Sequence, residues 1–378
     1  MKKINFLLTG LLISWVVLAT ACQNENHLLN SKGHEPSSLS LSKKILPQRN
    51  RIRKFSSNTL ELIKEINFEN LEKPPYRPTY LLFDEQGALY TVDFSEFYIH
   101  KFLPSSGWKN FKHFYFGKGK GQGPGELSRV LDFKVFRGEL YLADEGTGSI
   151  EVYSTEGMYK KRITLSNNLI PRKITLQDGK IIVESLTLNA PLFYVYDLSG
   201  NMIYSFGELI NKTSRENFVY QDNTLSDSFS GNCFYYLPRF LGFVVLYQGD
   251  KLTLAKETID GINTGKKNIP VKKTIMEGVV VQTVSKKIET VSLHALHEDF
   301  ILIKTYDYEK KKTFWDIYTI NDFNYQISIK NPPLSKEVAI HKDYIAVLTD
   351  TETGSEIRLF DMTKVLFELH EQKRGNSR

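Results

Sequence analysis

Five glycines alternate with other residues between Phe116 and Leu127: Gly117, Gly119, Gly121, Gly123 and Gly125, with Lys118, Lys120, Gln122 and Pro124 between them and Glu126 following. Glycine frees φ and lets backbone amides approach a ligand closely. Successive amides can form a concave nest for an anion, to which the two lysines would add charge. The absence of a Gly-Lys-Ser or Gly-Lys-Thr step rules out a phosphate-binding P-loop. The run reads first as a tight crossover between two strands, with Glu126 accepting from backbone donors, and second as a contact for an anion or a carbohydrate.

Other candidate chemistry is sparse. His294, His297 and Glu298 form an HxxHE cluster, but that spacing shares a face only in a helix. Here the second histidine and the acid fall in the turn before the strand-like DFILIKT (Asp299 to Thr305), so a pair of surface histidines is expected. The string from Asp144 to Gly148 lacks the alternating oxygen ligands and terminal glutamate of an EF-hand. Asp144 is expected to end its strand and cap the following turn, as Asp93 does one repeat earlier. No G-x-S-x-G elbow is present, and Cys233 lies in the apolar run CFYYL, where a small buried thiol is expected. No catalytic residue, metal or cofactor is assigned.

The N-terminus speaks to compartment. Lys2 and Lys3 precede an apolar run from Phe6 to Ala19, then Thr20, Ala21 and Cys22, the pattern of a signal peptide over residues 1–21. A run of about 14 residues is short of the roughly 20 needed to span a bilayer as a helix. Small residues before Cys22 resemble the lipobox of bacterial lipoproteins, with Ala19 where leucine is usual; an ordinary cleaved signal with a chance cysteine is the alternative. Two or more acyl chains would anchor the protein durably, since one chain alone holds only marginally. The expected location is the cell envelope, on the outer membrane. Residues 22–58, rich in Ser, Asn and basic residues, read as a lipid-anchored flexible tether.

Composition narrows the partner classes. Loss of Lys2 and Lys3 with the signal lowers the net charge from +6 to +4, which does not call for nucleic acid. The lysine pairs at 266–267, 272–273 and 286–287, and Lys310 to Lys312, fall in expected connections with no regular interleaving of aromatics. Nucleic-acid binding is therefore rejected. With Cys22 acylated, Cys233 has no partner for a disulfide, so a core must hold the fold. Twenty Tyr and 24 Phe against five Met favour strands.

A repeat carries the fold. GALYTVD (Gly87 to Asp93) with FYIHKF is followed by GELYLAD (Gly138 to Asp144) with SIEVYSTEG, then GKIIVES (Gly179 to Ser185) with LFYVYDLSG. Fainter copies are GFVVLY with KLTLA, DFILIKT with TFWDIYTI, and DYIAVLT with EIRLFD. Six paired runs at this spacing imply an all-β six-bladed β-propeller with four-stranded antiparallel blades over residues 59–370; two packed sandwiches are the alternative. Thr59 to Phe68 reads as an additional strand able to close the ring on the last blade. Residues 371–378 read as a basic tail.

The GALYTVD and GELYLAD strands, the turn glycines Gly107, Gly157 and Gly200, and the run FGKGKGQGPGEL (Phe116 to Leu127) resemble the NHL-type and TolB-like six-bladed propeller lipoproteins of Bacteroidota. The likeness covers Pro75 to Asp361 and is strongest in the first three units. It implies little about activity. The expected function is a binding or scaffold module for an envelope protein or glycan, using loops such as Phe116 to Leu127. The alternative is a lactonase- or lyase-like envelope enzyme with a metal ion in the central channel.

Overall fold

The computed structural model describes residues 45–184, 191–207, 223–227, 233–238, 242–261, 271–276, 279–284, 288–297, 299–352 and 354–376. Cys22 and the signal segment lie outside them. The chain divides into two units: one comprises residues 1–38 and 265–285, the other residues 39–264 and 286–378. In the first, the described part is an antiparallel hairpin of Val271–Met276 with Val279–Val284.

The second unit is a propeller of six antiparallel four-stranded blades. After β1 (Glu61–Asn67), blade 1 is β2 to β5: Pro78–Phe83, Leu89–Asp93, Ile99–Ser105 and Asn110–Phe116. Blade 2 is β6 to β9: Val130–Phe136, Glu139–Asp144, Ser149–Ser154 and Tyr159–Thr164. Blade 3 is β10 to β13: Ile174–Gln177, Lys180–Glu184, Phe193–Asp197 and Met202–Phe206. Blade 4 is β14 to β17: Asn223–Asp227, Cys233–Pro238, Phe243–Gln248 and Lys251–Glu257. With the hairpin strands counted as β18 and β19, blade 5 is β20 to β23: Ile288–His297, Phe300–Asp307, Lys312–Thr319 and Tyr325–Ser328. Blade 6 takes β24 to β26, Glu337–His341, Tyr344–Asp350 and Ser355–Asp361, and then β1 as its outermost strand.

Ring closure is visible in two places. The first strands of successive blades neighbour one another in a closed cycle, β2, β6, β10, β14, β20, β24 and back to β2. β1 pairs antiparallel with β26, with Leu62 opposite Phe360 and Ile66 opposite Ile357. The strand expected at Thr59 to Phe68 thus joins the two ends of the domain.

The apolar core sits between blades. Leu89 and Phe102 of blade 1 pack with Ala346, Leu348 and Leu359 of blade 6; Tyr90 and Ile99 pack with Val130, Phe133 and Leu142 of blade 2. Between blades 3 and 4, Phe193 meets Phe234 and Tyr236 edge-on at 5.2 and 5.4 Å. Middle strands are covered on both faces, which is why β3 and β8 are buried along their whole length. The paired runs legible in the sequence are these middle strands. In blade 4 the pairing slips by one: GFVVLY and KLTLA are its third and fourth strands, and the second is CFYYLP.

Two segments expected to be loose are built into the propeller. Residues 45–58 run as a strap along blades 4 and 5: Leu46 bridges to Lys256 and Phe55 to Ser328, and Gln48 and Ser56 are buried. Arg53 is the reason the strap holds. Its Nε donates to Asp316 Oδ1 at 3.0 Å, and its Nη2 to Asp316 Oδ2 at 2.9 Å and Asp260 Oδ2 at 2.5 Å. The tether reading, residues 22–58, therefore leaves residues 22–44 outside the described residues and its last part docked. Residues 371–376 continue a helix, α1 (Thr363–Asn376), in place of a tail. Val365, Leu366 and Leu369 of α1 bury against blades 5 and 6.

Candidate functional site

In an antiparallel blade, the connection into the innermost strand and the turn between the second and third strands share one end of the sheet. Around the ring these segments form one face. Two of its connections are clamped by the aspartates that end the second strands. Asp93 accepts from Arg77 N at 2.9 Å, Tyr76 N at 3.3 Å and Ser95 N at 2.9 Å. Asp144 does the same one blade on, accepting from Ser128 N and Arg129 N at 2.7 Å and Gly146 N at 2.9 Å. Each aspartate thus caps its turn, as the sequence suggests, and also fixes the incoming chain. Such charge-assisted bonds hold a loop without help from a core.

Inside that face the innermost strands bulge. The register of β2 skips Tyr80 and that of β6 skips Leu131, and Tyr80 takes φ 56°, a backbone conformation costly for a bulky residue. The bulges tie three blades together: the Tyr80 hydroxyl donates to Val130 O at 3.4 Å, and Lys173 Nζ donates to Leu131 O at 3.4 Å. Lys173 Nζ also lies 5.7 Å from the Tyr80 ring centroid. Asp132 Oδ2 accepts from Ile174 N at 3.0 Å. Glu145 pairs with Arg129 at 2.8 Å and lies 3.9 Å from Arg172. Burial pushes the Tyr80 phenol well above its ordinary range, and Asp132 and Glu337 push it further, against Arg172 and Arg129. The phenol is therefore neutral and offers a donor and an acceptor, not a phenolate base.

The glycine-rich run is the crossover from β5 to β6, at the same end of the ring. Its amides are turned inward: Lys118 N donates to Gly125 O at 3.2 Å, Gly121 N to Leu127 O at 2.9 Å and Leu127 N to Gly119 O at 3.0 Å. Gly123 N donates to Glu126 Oε2 at 2.7 Å. Arg162 grips the carbonyls of Gln122 and Gly123 at 2.9 and 3.0 Å, and is aimed by the buried Glu151, with which its Nε pairs. Burial pushes the Glu151 carboxyl up, and Arg162 opposes that. Lys118 and Lys120 are exposed, and Lys118 Nζ donates to Pro124 O at 2.7 Å. The geometry brings Gly117, Gly119, Gly121, Gly123, Gly125, Gln122 and Glu126 into one folded loop whose backbone donors bond chiefly to one another.

The histidine reading needs correction. His294 and His297 lie in β20, whose pairing with β21 runs on to His297 opposite Phe300. His294 is half-buried in the innermost strand of blade 5 and shares a 2.9 Å hydrogen bond with Ser292 Oγ. Burial pushes it down to about 3, with Lys304 and Lys134 adding to the effect. Among the described residues no group of three or more His, Cys, Asp or Glu side chains is placed to hold a metal ion.

No family model matches the chain, and no curated protein matches it. Solved structures do. A protein named for its predicted export, from Bacteroides fragilis, superposes with a TM-score of 0.52 at 12% identity, covering 84% of this chain and 98% of its own. A member of the DUF4221 family from Bacteroides vulgatus gives 0.53 at 10% identity, covering 81% and 98%. At such identities the likeness is one of fold. Sequence reasoning missed Tyr80, Arg129, Arg172 and Lys173. The available signal was a basic residue directly before an innermost strand, in connections whose strands are too weakly patterned to be placed.

Proposed function

We propose that the chain is an exported lipoprotein of the cell envelope, held to the outer membrane through an acylated Cys22, whose propeller binds a protein or glycan partner at the Tyr80 end of the ring. Kinship with the NHL-type and TolB-like lipoprotein propellers belongs to this reading. The signal-like N-terminus and the export implied by the name of the Bacteroides fragilis structure support the location.

One observation carries the binding role: side chains of blades 1, 2 and 3 converge on a neutral, strained tyrosine within a rim of clamped backbone. Strain of this kind persists only where the surroundings over-determine it, and it gathers at sites that recognise ligands. Groups arranged so are preorganised to donate and accept hydrogen bonds, which lowers the ordering cost of association.

Two experiments test the proposal. Cys22→Ser should move the protein from the membrane to the soluble fraction; retention after a carbonate wash would refute the anchor. Affinity capture from the native envelope should return a partner with the unaltered chain and lose it with Arg129→Ala plus Arg172→Ala. Identical capture by both would remove the Tyr80 end as the binding face. A stoichiometric divalent ion retained through dialysis would favour the envelope-enzyme alternative.

A further inference from the structure

The strap of residues 45–58 contains Arg49, Arg51, Arg53 and Lys54 and no acidic residue. Its pairing with the edges of β17 and β23 fixes which of its side chains meet the propeller and which meet water. Arg53 is held by Asp316 and Asp260, and Arg51 pairs with Glu257. Ile52 and Lys54, which alternate with them, are exposed, Ile52 to 75%. Leu46 and Phe55 are also exposed, to 51% and 46%.

The turn between β21 and β22 brings further charge to the same place. Lys312 Nζ lies 5.7 Å from the Phe55 ring centroid and 5.5 Å from that of Phe314, over which Arg53 stacks at 4.0 Å. Lys330 N donates to Ser56 Oγ at 3.3 Å, which adds a lysine at the end of the strap. Arg49, Lys54, Lys311, Lys312 and Lys330 are exposed and have no ion-pair partner among the described residues. The acids nearby are mostly engaged below the surface: Glu257, Asp260 and Asp316 with the arginines, and Asp307 with Lys310 at 2.9 Å. On the flanks stand Glu309, Asp322 beside the Gln48 contact, and Glu368 past Phe55. Unpaired cations therefore outnumber exposed acids along this wall.

We infer that this outer wall of blades 4 and 5 rests on an anionic phospholipid surface, with the cations at the head groups and Leu46, Ile52 and Phe55 at the acyl boundary. Exposed apolar side chains set among cations suit an interface of that kind, whereas a soluble polyanion would engage the cations and leave Ile52 in water. The direction of the chain favours the same occupant. The strap begins where residues 23–44 lead back to Cys22, so it is the first part of the propeller that an acylated Cys22 would bring to a bilayer. The inference rests on the anchor proposed above and adds the second attachment that a single acyl chain requires for durable binding. Because the strap follows the outer edges of the blades, contact there sets the ring on its rim and leaves the Tyr80 end open to a partner.

The chain begun at residue 22 and carrying Cys22→Ser is sedimented with vesicles of phosphatidylcholine alone and of phosphatidylcholine with about one-third phosphatidylglycerol. Binding to the anionic vesicles should be tighter by about tenfold or more and should fall several-fold between low and physiological salt. Arg49→Gln, Lys54→Gln, Lys311→Gln and Lys312→Gln together should weaken it by about tenfold or more. Ile52→Ser should weaken it without changing the salt dependence. These side chains hold no ion pair in the fold, so each variant should keep the parent's circular dichroism spectrum and melting midpoint. Equal binding to both kinds of vesicle, or binding like the parent's by either variant, overturns the inference. Displacement by polyglutamate or by glycerophosphoglycerol at a charge concentration equal to that of the lipid also overturns it, since the wall would then take a soluble anion. The anchor is judged separately, in cells. If Cys22→Ser leaves the membrane fraction and the purified chain ignores anionic vesicles, the anchor stands and the inference fails. If Cys22→Ser survives a carbonate wash on the membrane while the purified chain binds anionic vesicles, the anchor fails and the wall remains a lipid contact.

Discussion

Gly125 and Gly123 occupy the same loop but answer differently to a methyl group. Gly125 has φ 78°, and a Cβ there would lie 3.0 Å from the Tyr159 ring; Gly123 lies outside the left-handed region, and its Cβ would meet only the carboxylate tip of Glu126 at 3.0 Å. Gly125→Ala should therefore cost about 1 kcal/mol or more and lower the melting midpoint by roughly 2 °C, while Gly123→Ala should be nearly silent in the same scan. A larger loss is expected of Gly200→Ala, since at φ 90° its Cβ would fall 2.2 Å from Thr164 O. Histidines supply the pH dependence. His100 and His113 stack with ring centroids 5.4 Å apart, and His100 Nδ1 lies 3.1 Å from His113 Nε2. Burial pushes His100 down to about 4 and lowers His113, His294 and His341 as well. An unfolded histidine titrates near 6.5, so the unfolded chain takes up protons first. The stability these groups contribute is complete above pH ~6.5 and declines as pH falls towards ~4. Melting midpoints measured between pH 7.5 and 4.5 should fall, and His100→Phe with His113→Phe should make the slope shallower; an unaltered slope would contradict the assignment.

At the scale of elements, the strap of residues 45–58 behaves as part of the sheet system. Asp316 is fully buried, and its carboxylate receives Arg53 and the Ser328 hydroxyl. Burial raises its pKa, and the Arg53 guanidinium is the principal influence opposing that rise. Removing one partner of such a pair typically costs about 3–5 kcal/mol, because the other charge stays buried without compensation. Arg53→Met should show that loss in urea unfolding, and addition of Asp316→Asn should recover part of it. Equal stability of Arg53→Met and the parent would mean that the strap lifts away and water reaches Asp316. α1 depends on the same region: Glu368 accepts from Ser57 N at 3.1 Å and Asn58 Nδ2 at 3.0 Å. Loosening the strap should therefore loosen the helix as well.

For the molecule as a whole, closure of the ring depends on β1. Without it, β26 becomes an exposed edge and the cluster shared by blades 6 and 1 loses Ile66 and Phe68. A chain begun after Phe68 should bind a hydrophobic dye and lose its near-ultraviolet circular dichroism, whereas one begun at Leu60 should lose the strap but keep the closing strand. If both truncations retain a sharp melting transition, closure by β1 is dispensable. Unpaired strand edges also invite association, so the shorter chain should elute as an aggregate in size-exclusion chromatography.

The middle strands of the blades were legible in the sequence because burial on both faces demands runs such as GELYLAD and SIEVYSTEG, whose chemistry does not depend on which blade is next. The turn role of Asp93 and Asp144 was legible for a similar reason: an aspartate at a strand end serves a turn two residues away. Blade count and the closing strand followed from the repeat. Tertiary structure decided the rest. β2, β6 and β10 have few distinguishing residues, since an innermost strand is shaped by its neighbours around the channel. The register skips at Tyr80 and Leu131 therefore leave no local trace. Arg53 looked like tether charge until Asp316 and Asp260, more than 200 positions away, were brought beside it. Tyr80, Val130 and Lys173 are scattered in the chain and meet only when three blades stand side by side. Local patterns encode what neighbouring residues settle among themselves; contacts between blades join residues far apart in the chain, which no local pattern records.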